Sequence, residues 1–409
     1  MTPLVVAIFA LTYLLVALPR VPLLPIGRTA GALLGATLMV VVGAVSPAES
    51  FAAIDGDTIV LLLAMMLLTA ELAETGFFVW ASERVLSVCR TPRSLMIAVA
   101  LSAGVGSALL VNDSICVFMT PIVVAICVRA GLPLGPYLIV LATSSNLGSA
   151  ATLVGNPQNM LIGSLSHLPF LRFSAASLPV VVVTFALQLG LALWMYRKVL
   201  AQPSLWTPAT VPRPRGLWPI GVVLVGVVIA FFLGAHLGYT AMAGALAIIV
   251  VRRREPRATF ARVDWSVLLF FAGLFIVTRA LAMTGLVDDL WSAAAPHMDL
   301  GTASGVGVFS GVMTLGCNTI SNVPMVLLTA SHLPALGHPE LGFVLLAFVT
   351  TVAGNLTLVG SVANLIVAEG ARDAYRLGFG EYARYGVPAT LLVLAVGVPL
   401  LVWWTPIVM

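Results

Sequence analysis

The sequence predicts an all-α polytopic membrane protein. Of its 409 residues, 60% are apolar and only 9% are charged, against about 25% charged in an average soluble domain. Apolar runs long enough to cross a hydrocarbon core of about 30 Å recur from the first residues to the last, and no polar stretch between them is long enough to bury a core of its own. This pattern excludes a soluble globular protein and places the function within a membrane, which we expect to be the cell membrane.

Ten apolar stretches have the length of a membrane span. They start near residues 3, 29, 57, 137, 174, 217, 238, 265, 341 and 386. Two further apolar segments, at about 95–128 and 302–333, carry polar residues and glycine at their centres, and we predict that each is a re-entrant hairpin. With both termini outside, nearly all of the 20 lysines and arginines fall in or beside cytoplasmic loops, as the positive-inside rule requires.

An internal duplication divides the chain. The matched positions, in chain order, are Asp55 with Asp264, Asn112 with Asn322, residues 152–155 with 357–360 (both Thr-Leu-Val-Gly), and Asn159 with Asn364. We predict two repeats, residues 1–200 and 217–409, joined by a cytoplasmic linker at 201–216. Each repeat crosses the membrane an odd number of times, so the second copy is inverted. Inverted repeats with broken helices are typical of secondary transporters.

The last-but-one span of the first repeat, about 137–165, cannot run straight through a membrane. Polar residues at 144–149 and again at 155–159 predict two interruptions. Pro157 is unfavourable inside a helix but suits its first position, directly after an Asn156 cap. We therefore expect a new half-helix to begin at Pro157.

The matching span of the second repeat, about 341–368, is also expected to break. Gly354 lies within it, and Gly360 is followed by Ser361, which occupies the position of the first cap. No proline follows this serine, so we expect a milder break. Discontinuous helices of this kind are expected near the midplane, where the backbone groups that they free can bind ions or solutes.

The tips of the two predicted hairpins carry asparagine. Asn112 and Asn322 stand just before apolar legs, where their side chains are expected to cap the helices. The free N–H groups of each first turn carry a positive partial charge of about half a unit, so two opposed tips form an anion cradle without arginine. Asp113 is a carboxylate within an apolar segment, and it is either a carrier of a proton or cation or a helix cap.

These features define two overlapping predicted sites. The expected solute ligands are Asn112, Ser114, Ser145, Asn146, Asn159, Ser321, Asn322, Thr357 and Asn364. The expected ligands of the coupling ion, a proton or sodium (Na+ or H+), are Asp113, Asn112, Gly155, Asn156, Asn322, Gly360 and Ser361. Oxygen atoms of this kind suit a small cation. We expect no other cofactor or metal, no nucleic-acid partner and no enzymatic activity, because the sequence lacks HExxH, paired intramembrane aspartates and a Cys/His group.

The sequence resembles the ion transporter superfamily of arsenite permeases, divalent-anion/sodium symporters, citrate carriers and one type of sodium/proton antiporter. The most specific parts are Asn-Asp at 112–113 with Thr-Pro at 120–121, the stretch SNLGSAATLVGNPQN at 145–159, and Ser-Asn-Val-Pro at 321–324. The resemblance covers nearly the whole chain and is greatest to the arsenite-permease-like anion permeases. It implies an elevator-like motion of the hairpin-bearing domain and frequent homodimers.

Two departures from the superfamily bear on the solute. The dicarboxylate symporters that the sequence resembles carry Ser-Asn-Thr at both hairpin tips, where this chain has Asn-Asp-Ser at 112–114 and Ser-Asn-Val at 321–323. The added negative charge of Asp113 opposes a multivalent anion unless it is protonated or paired with a cation. This favours coupling to a proton or to a single cation.

We therefore expect a secondary active transporter of a small anion, an inorganic oxyanion or a carboxylate, coupled to protons or sodium and working by alternating access. Two alternatives remain open. A sodium/proton antiporter is favoured by Asp113 and the amide oxygens around it. An efflux permease for arsenite or another metalloid is the other.

Overall fold

The computed structural model describes residues 1–17, 27–201, 216–253 and 255–409. These residues form helices, and no β-strand occurs among them. The helices up to the predicted linker are α1 (Thr2–Ala17), α2 (Gly27–Val41), α3 (Pro47–Ala52), α4 (Gly56–Glu74), α5 (Phe77–Val88), α6 (Pro92–Leu109), α7 (Asn112–Ala130), α8 (Leu134–Ser149), α9 (Pro157–Ser166), α10 (Phe170–Met195) and α11 (Arg197–Leu200). Most of the linker itself, 202–215, lies outside the described residues.

The helices that follow the linker correspond to the second predicted repeat. They are α12 (Leu217–Phe232), α13 (Leu237–Arg252), α14 (Arg257–Ala261), α15 (Trp265–Ala282), α16 (Leu286–Ala294), α17 (Ala303–Ile320), α18 (Asn322–Thr329), α19 (Pro339–Ala353), α20 (Val362–Gly370) and α21 (Phe379–Val408). Two 3₁₀ segments, Ala295–His297 and Ala330–Leu336, precede α17 and α19.

The prediction of an all-helical protein with many apolar spans is confirmed. A helix begins near each of the ten predicted starts, and the largest displacement is at α21, which begins at Phe379 rather than at 386. Within the described ranges, seven helices are long and apolar enough to cross a membrane, namely α4, α6, α7, α10, α15, α17 and α21. Shorter apolar helices are α1, α2, α12, α13 and α19.

Both predicted hairpin segments are pairs of helices joined by a tight turn, α6–α7 and α17–α18. In the second pair the turn is Ser321, whose φ of 73° lies in the left-handed region that a serine rarely adopts. Helices α6 and α7 contain 18 and 19 residues, a length that also suits a complete crossing. The re-entrant course of the hairpins therefore stays a prediction.

Each predicted broken span is two helices separated by a non-helical segment, residues 150–156 in the first and 354–361 in the second. The expected interruption at 144–149 is wrong, because these residues continue α8, and Ser145 and Asn146 bond through their side chains to groups on other segments. The expectation that the second break is milder is also wrong, because its non-helical segment, 354–361, is as long as the first without any proline. The backbone approaches itself closely there, since a Cβ on Gly360 would lie 3.0 Å from the Gly354 oxygen.

The hairpins pack against the broken helices of both halves. Helix α7 contacts α8 and also α20, whereas α18 contacts α19 and also α9. A second group of helices packs beside them, in which α2 lies against α1 and α15, and α4 lies against α13. The ends of the broken helices are thereby enclosed between the two hairpin turns and the α2–α15 pair.

Candidate solute site

Four helices begin around one cavity of about 200 Å³. They are α7, α9, α18 and α20, and the N-terminal ends of α2 and α15 form the opposite wall. The polar residues that line it are Arg28, Thr29, Asn112, Asp113, Gln158, Asp264, Ser266, Ser321, Asn322 and Ser361. Because the first turn of each helix has N–H groups without intrahelical partners and a positive partial charge, such a convergence favours an oxygen-rich or negatively charged solute.

Asn112 and Asn322 face this cavity from the two hairpin turns. Both are more than nine-tenths buried, with 4% and 7% of their surface exposed. The side-chain oxygen of each has no hydrogen-bond partner among the described residues. A buried acceptor without a partner is destabilising by about 1–3 kcal/mol, so these oxygens indicate a ligand that donates hydrogen bonds or a cation.

The prediction that these asparagines cap their helices is wrong. Each is the first residue inside its helix, and the caps are Val111 and Ser321, neither of which forms a side-chain capping bond. The amide of Asn112 is drawn away to Asn146, to whose Oδ1 it donates at 3.0 Å. The side chain of Asn322 forms no hydrogen bond within the described structure. Neither side-chain amide therefore bonds to the N-terminal turn of its own helix.

Three charged side chains lie on the cavity wall. Asp113 stands on the first turn of α7, opposite Arg28 of α2 and Asp264, which precedes α15. Arg28 and Asp113 carry groups of opposite charge on this wall, whereas Asp264 is acidic like Asp113. Asp264 also caps α15, accepting from the Ser266 nitrogen at 3.1 Å. The side chains thus add one positive and two negative charges to the helix N-termini.

Asn146 lies behind the cavity and joins both halves of the chain. Its Oδ1 accepts from Asn112 at 3.0 Å and from the Ser361 hydroxyl at 3.1 Å. Its Nδ2 donates to the Oδ1 atoms of Asn355 at 2.8 Å and Asn364 at 2.9 Å. All four hydrogen-bonding positions of this buried amide are used, which fixes the first hairpin turn against the second broken span.

The two breaks are held by the same pair of hydrogen bonds. In each, one asparagine amide donates to two backbone oxygens, one within the non-helical segment and one where the preceding helix ends. The bonds are Asn159 to Thr152 O (2.9 Å) and Ser149 O (3.3 Å), and Asn364 to Thr357 O (3.0 Å) and Gly354 O (2.8 Å). The donors and acceptors occupy corresponding positions in the two predicted repeats.

The caps of the two later half-helices also make corresponding contacts across the halves. Asn156, which caps α9 through the Asn159 nitrogen at 2.8 Å, donates to Thr351 of α19 at 3.2 Å. Ser361, at the cap of α20, donates to Asn146 of α8. Each cap therefore reaches the helix that precedes the other break.

Residues 12–353 match the protein family described as citrate transporter. The chain belongs to this family. It is 33% identical to the silicon efflux transporter LSI3 of Oryza sativa subsp. japonica, over 96% of both chains. It is 29% identical to the putative transporter arsB of Dictyostelium discoideum, over 93% of this chain and 88% of that one.

Two solved structures share the fold of this citrate transporter family member. The Alcanivorax borkumensis YdaH transporter is 17% identical, with a TM-score of 0.58 over 99% of this chain and 98% of its own. Neisseria gonorrhoeae MtrF is 14% identical, with a TM-score of 0.55 over 98% and 94%. Together with the family and the apolar helices, these matches show a multipass membrane transporter, and the predicted resemblance is confirmed.

The structure brings only some of the predicted site residues of this family member to the cavity. Those that line it are Asn112, Asp113, Ser321, Asn322 and Ser361. Those that do not are Ser114, Ser145, Asn146, Gly155, Asn156, Asn159, Thr357, Gly360 and Asn364. Most of this second group connects the turns and breaks to one another. Gly155 O, for example, accepts from the Asn112 nitrogen at 2.9 Å, and the Ser145 hydroxyl donates to Asn112 O at 3.3 Å.

Sequence reasoning missed the wall that α2 and α15 contribute. In the sequence, Arg28 cannot be distinguished from the other basic residues at the ends of spans. Its place in the same cavity as Asp113 depends on tertiary packing. A signal did exist for Asp264, since it corresponds to Asp55 in the duplication. Gln158 lay within the predicted break, yet its amide was not recognised as part of the cavity wall; it donates to Thr351 at 3.2 Å.

The counterpart of Asp264 is in a different situation. Asp55 caps α4, accepting from the Thr58 nitrogen at 2.7 Å, and its second oxygen accepts from Ser164 of α9 at 2.9 Å. This bond joins α4 to the later half-helix of the first break. Asp264 has no corresponding bond to α20 among the described residues, and it borders the open cavity instead.

Proposed function

We propose that this protein is a secondary active transporter that moves a small oxyacid across the cell membrane by alternating access. Transport of the oxyacid is coupled to protons or sodium. The observation that carries the proposal is the pair of unpartnered oxygens of Asn112 and Asn322 on one cavity wall. A fully deprotonated oxyanion offers only acceptors and leaves these oxygens unsatisfied. A solute with hydroxyl groups satisfies them and gives its own oxygens to the helix N-termini.

The charges of the cavity support the same class of solute. Asp113 and Asp264 oppose a multivalent anion, whereas Arg28 and the helix N-termini favour a negative charge. A neutral or singly charged oxyacid fits this balance better than a dicarboxylate. The name of the rice relative gives silicon efflux, and dissolved silicon is the hydroxylated acid Si(OH)4. An arsenite or other metalloid efflux permease is thus one form of this proposal.

Inverted repeats of five spans and one hairpin each would provide the two states of such a transporter. The corresponding bonds of Asn159 and Asn364, and the reciprocal contacts of Asn156 and Ser361, support this duplication. The bond between Asp55 and Ser164 joins α4 to the later half-helix of the first break, and Asp264 borders the solute cavity. The resemblance to the superfamily favours a homodimer.

A sodium/proton antiporter is the second candidate. The observation that favours it is the position of Asp113 on the same wall as the unpartnered Asn112 and Asn322 oxygens. Carboxylate and amide oxygens are ligands for a hard cation. In this reading the cation, rather than a hydroxylated solute, satisfies the two amide oxygens.

Purified protein in proteoliposomes with an internal pH dye tests the proposal. Silicic acid, arsenite, phosphate and citrate are added singly, with and without an imposed sodium gradient. The proposal predicts proton or sodium movement only in the presence of a hydroxylated solute such as silicic acid or arsenite. Proton movement driven by sodium alone would establish the antiporter instead, and movement with citrate alone would contradict the preference for an oxyacid.

A further inference from the structure

A second cavity, of about 560 Å³, lies away from the predicted solute site. One wall is the first hairpin, α6 and α7, and the other is formed by α5 with the C-terminal end of α4 and the middle of α12. Of its lining side chains in the described ranges, Ser102 alone is polar. Water has no hydrogen-bond partners in a space of this kind, so its natural occupant is hydrocarbon.

The dimensions of this cavity suit one acyl chain. Its lining follows α6 from Leu95 to Leu109, a distance of about 21 Å at a rise of about 1.5 Å per residue. One leaflet of a bilayer is about 15 Å deep, half of the hydrocarbon core of about 30 Å. The cavity is therefore long enough to hold one acyl chain over the full depth of a leaflet. Along one side the cavity reaches the protein surface, where Val105 is 60% exposed and Val225 is 59% exposed. In a membrane this surface is in contact with lipid.

A smaller cavity continues the apolar one at the ends of the helices. The two share Phe78, Ile122 and Ile126 as lining residues. The smaller cavity is also lined by Arg129, in the last turn of α7, and Arg262, directly after α14. Helix termini and arginine side chains of this kind lie at the boundary between the bilayer and water.

The guanidinium group of Arg262 retains free donors at this boundary. Its Nε donates to Glu74, and neither terminal nitrogen has a further hydrogen bond within the described structure. Arg129 differs, since both of its terminal nitrogens donate to Glu83 at 3.2 Å. Because a guanidinium presents two parallel N–H donors that match a phosphate, Arg262 can bind a phosphodiester while its ion pair stays intact.

We propose that a phospholipid occupies these two joined cavities, with an acyl chain between the first hairpin and α12 and its phosphate at Arg262. The apolar cavity sets the length of the acyl chain, and Arg262 at the end of the joined cavities sets the position of the lipid headgroup. The lipid is then a wall between the hairpin, which carries Asn112 and Asp113, and the helices α4, α5 and α12. This site is independent of the identity of the transported solute.

The acyl-chain position is tested by photo-crosslinking. The protein is placed in phosphatidylcholine nanodiscs containing a small fraction of phospholipid with a diazirine on the acyl chain, irradiated, and mapped by mass spectrometry. Adducts are expected on α6, α7 and α12 at cavity residues such as Ser102. Ala98→Trp fills the cavity and is expected to reduce these adducts to the background of other helices. Ala186→Trp, the same change on the exposed face of α10, is the matched control and is expected to leave them unchanged.

The headgroup position is tested with Arg262→Gln and a phospholipid whose photoreactive group lies beside the phosphate. Loss of a charge-assisted hydrogen bond of about 1.5 kcal/mol lowers occupancy about tenfold. Arg257→Gln, an exposed arginine at the same end, is the control and is expected to leave labelling unchanged. Adducts spread evenly over all lipid-facing helices would overturn the acyl-chain site. Equal headgroup labelling in Arg262→Gln and wild type would overturn the phosphate assignment.

Discussion

Replacement of Asn146 by alanine tests whether the buried amide network holds the two halves together. The change removes four hydrogen bonds, two accepted from Asn112 and Ser361 and two donated to Asn355 and Asn364. It leaves four polar atoms, one on each of these partners, without the bond to Asn146. The expected consequence is a less stable fold in which the first hairpin turn is no longer fixed to the second break.

The magnitude follows from the number of bonds. Hydrogen bonds inside membrane proteins average about 0.6 kcal/mol each, so four give a loss of about 2.4 kcal/mol in the free energy of unfolding. Buried groups that stay unpaired raise this figure, since each is destabilising by about 1–3 kcal/mol. A total loss of at least about 2.4 kcal/mol is therefore expected.

Equilibrium unfolding in mixed detergent and SDS micelles measures this loss. The matched control is Thr184→Val, which keeps the side-chain shape and removes hydroxyl bonds only to Val180 and Val181 of its own helix. A change below about 1 kcal/mol is expected for the control. An Asn146→Ala protein as stable as the Thr184→Val control would refute the structural role of the network.

The remaining predictions concern the first break and the cavity wall. Gly155→Ala should destabilise the protein by about 1–3 kcal/mol, because the new Cβ would overlap the backbone oxygen of Ser149. Gly190→Ala, which has open space around it, should leave the stability unchanged. Equal thermal stability of the two variants would contradict the close approach. Arg28→Gln should raise the apparent KM for a singly charged oxyanion at least about tenfold and leave that for a neutral oxyacid unchanged. Flux assays on both sides of the solute pKa measure this difference, and an equal effect on both forms would refute a charge-based role for Arg28.

Much of the fold follows from local sequence. Apolar runs of span length give the positions of nearly all the helices, because a bilayer leaves a chain few alternatives to helices. The start of α9 at Pro157 was also predictable from local sequence, because proline favours the first position of a helix and the preceding Asn156 can cap it.

The wrong predictions concern features of the structure that depend on tertiary contacts. Residues 144–149 continue α8 because partners from other helices satisfy their side chains, and no single-segment pattern reports such partners. The asparagines at the hairpin turns do not cap their helices, since Asn112 instead bonds to Asn146. Arg28 reaches the cavity through the packing of α2 on α15. Duplication was the one long-range signal used in the sequence analysis, and it paired Asn112 with Asn322, both of which line the solute cavity.

Solute flux through Asn322→Ala in proteoliposomes tests the central claim most directly. The Asn322 Oδ1 atom has no hydrogen-bond partner in the described structure, so removal of this side chain should not lower the stability of the protein. Thr314→Val, which loses only a bond to the Ser310 oxygen of its own helix, is the control. The account predicts that Asn322→Ala loses flux of the hydroxylated solute while Thr314→Val retains it, and that Asn322→Ala is at least as thermally stable as Thr314→Val. Wild-type flux in Asn322→Ala would contradict the assignment of the cavity as the solute site.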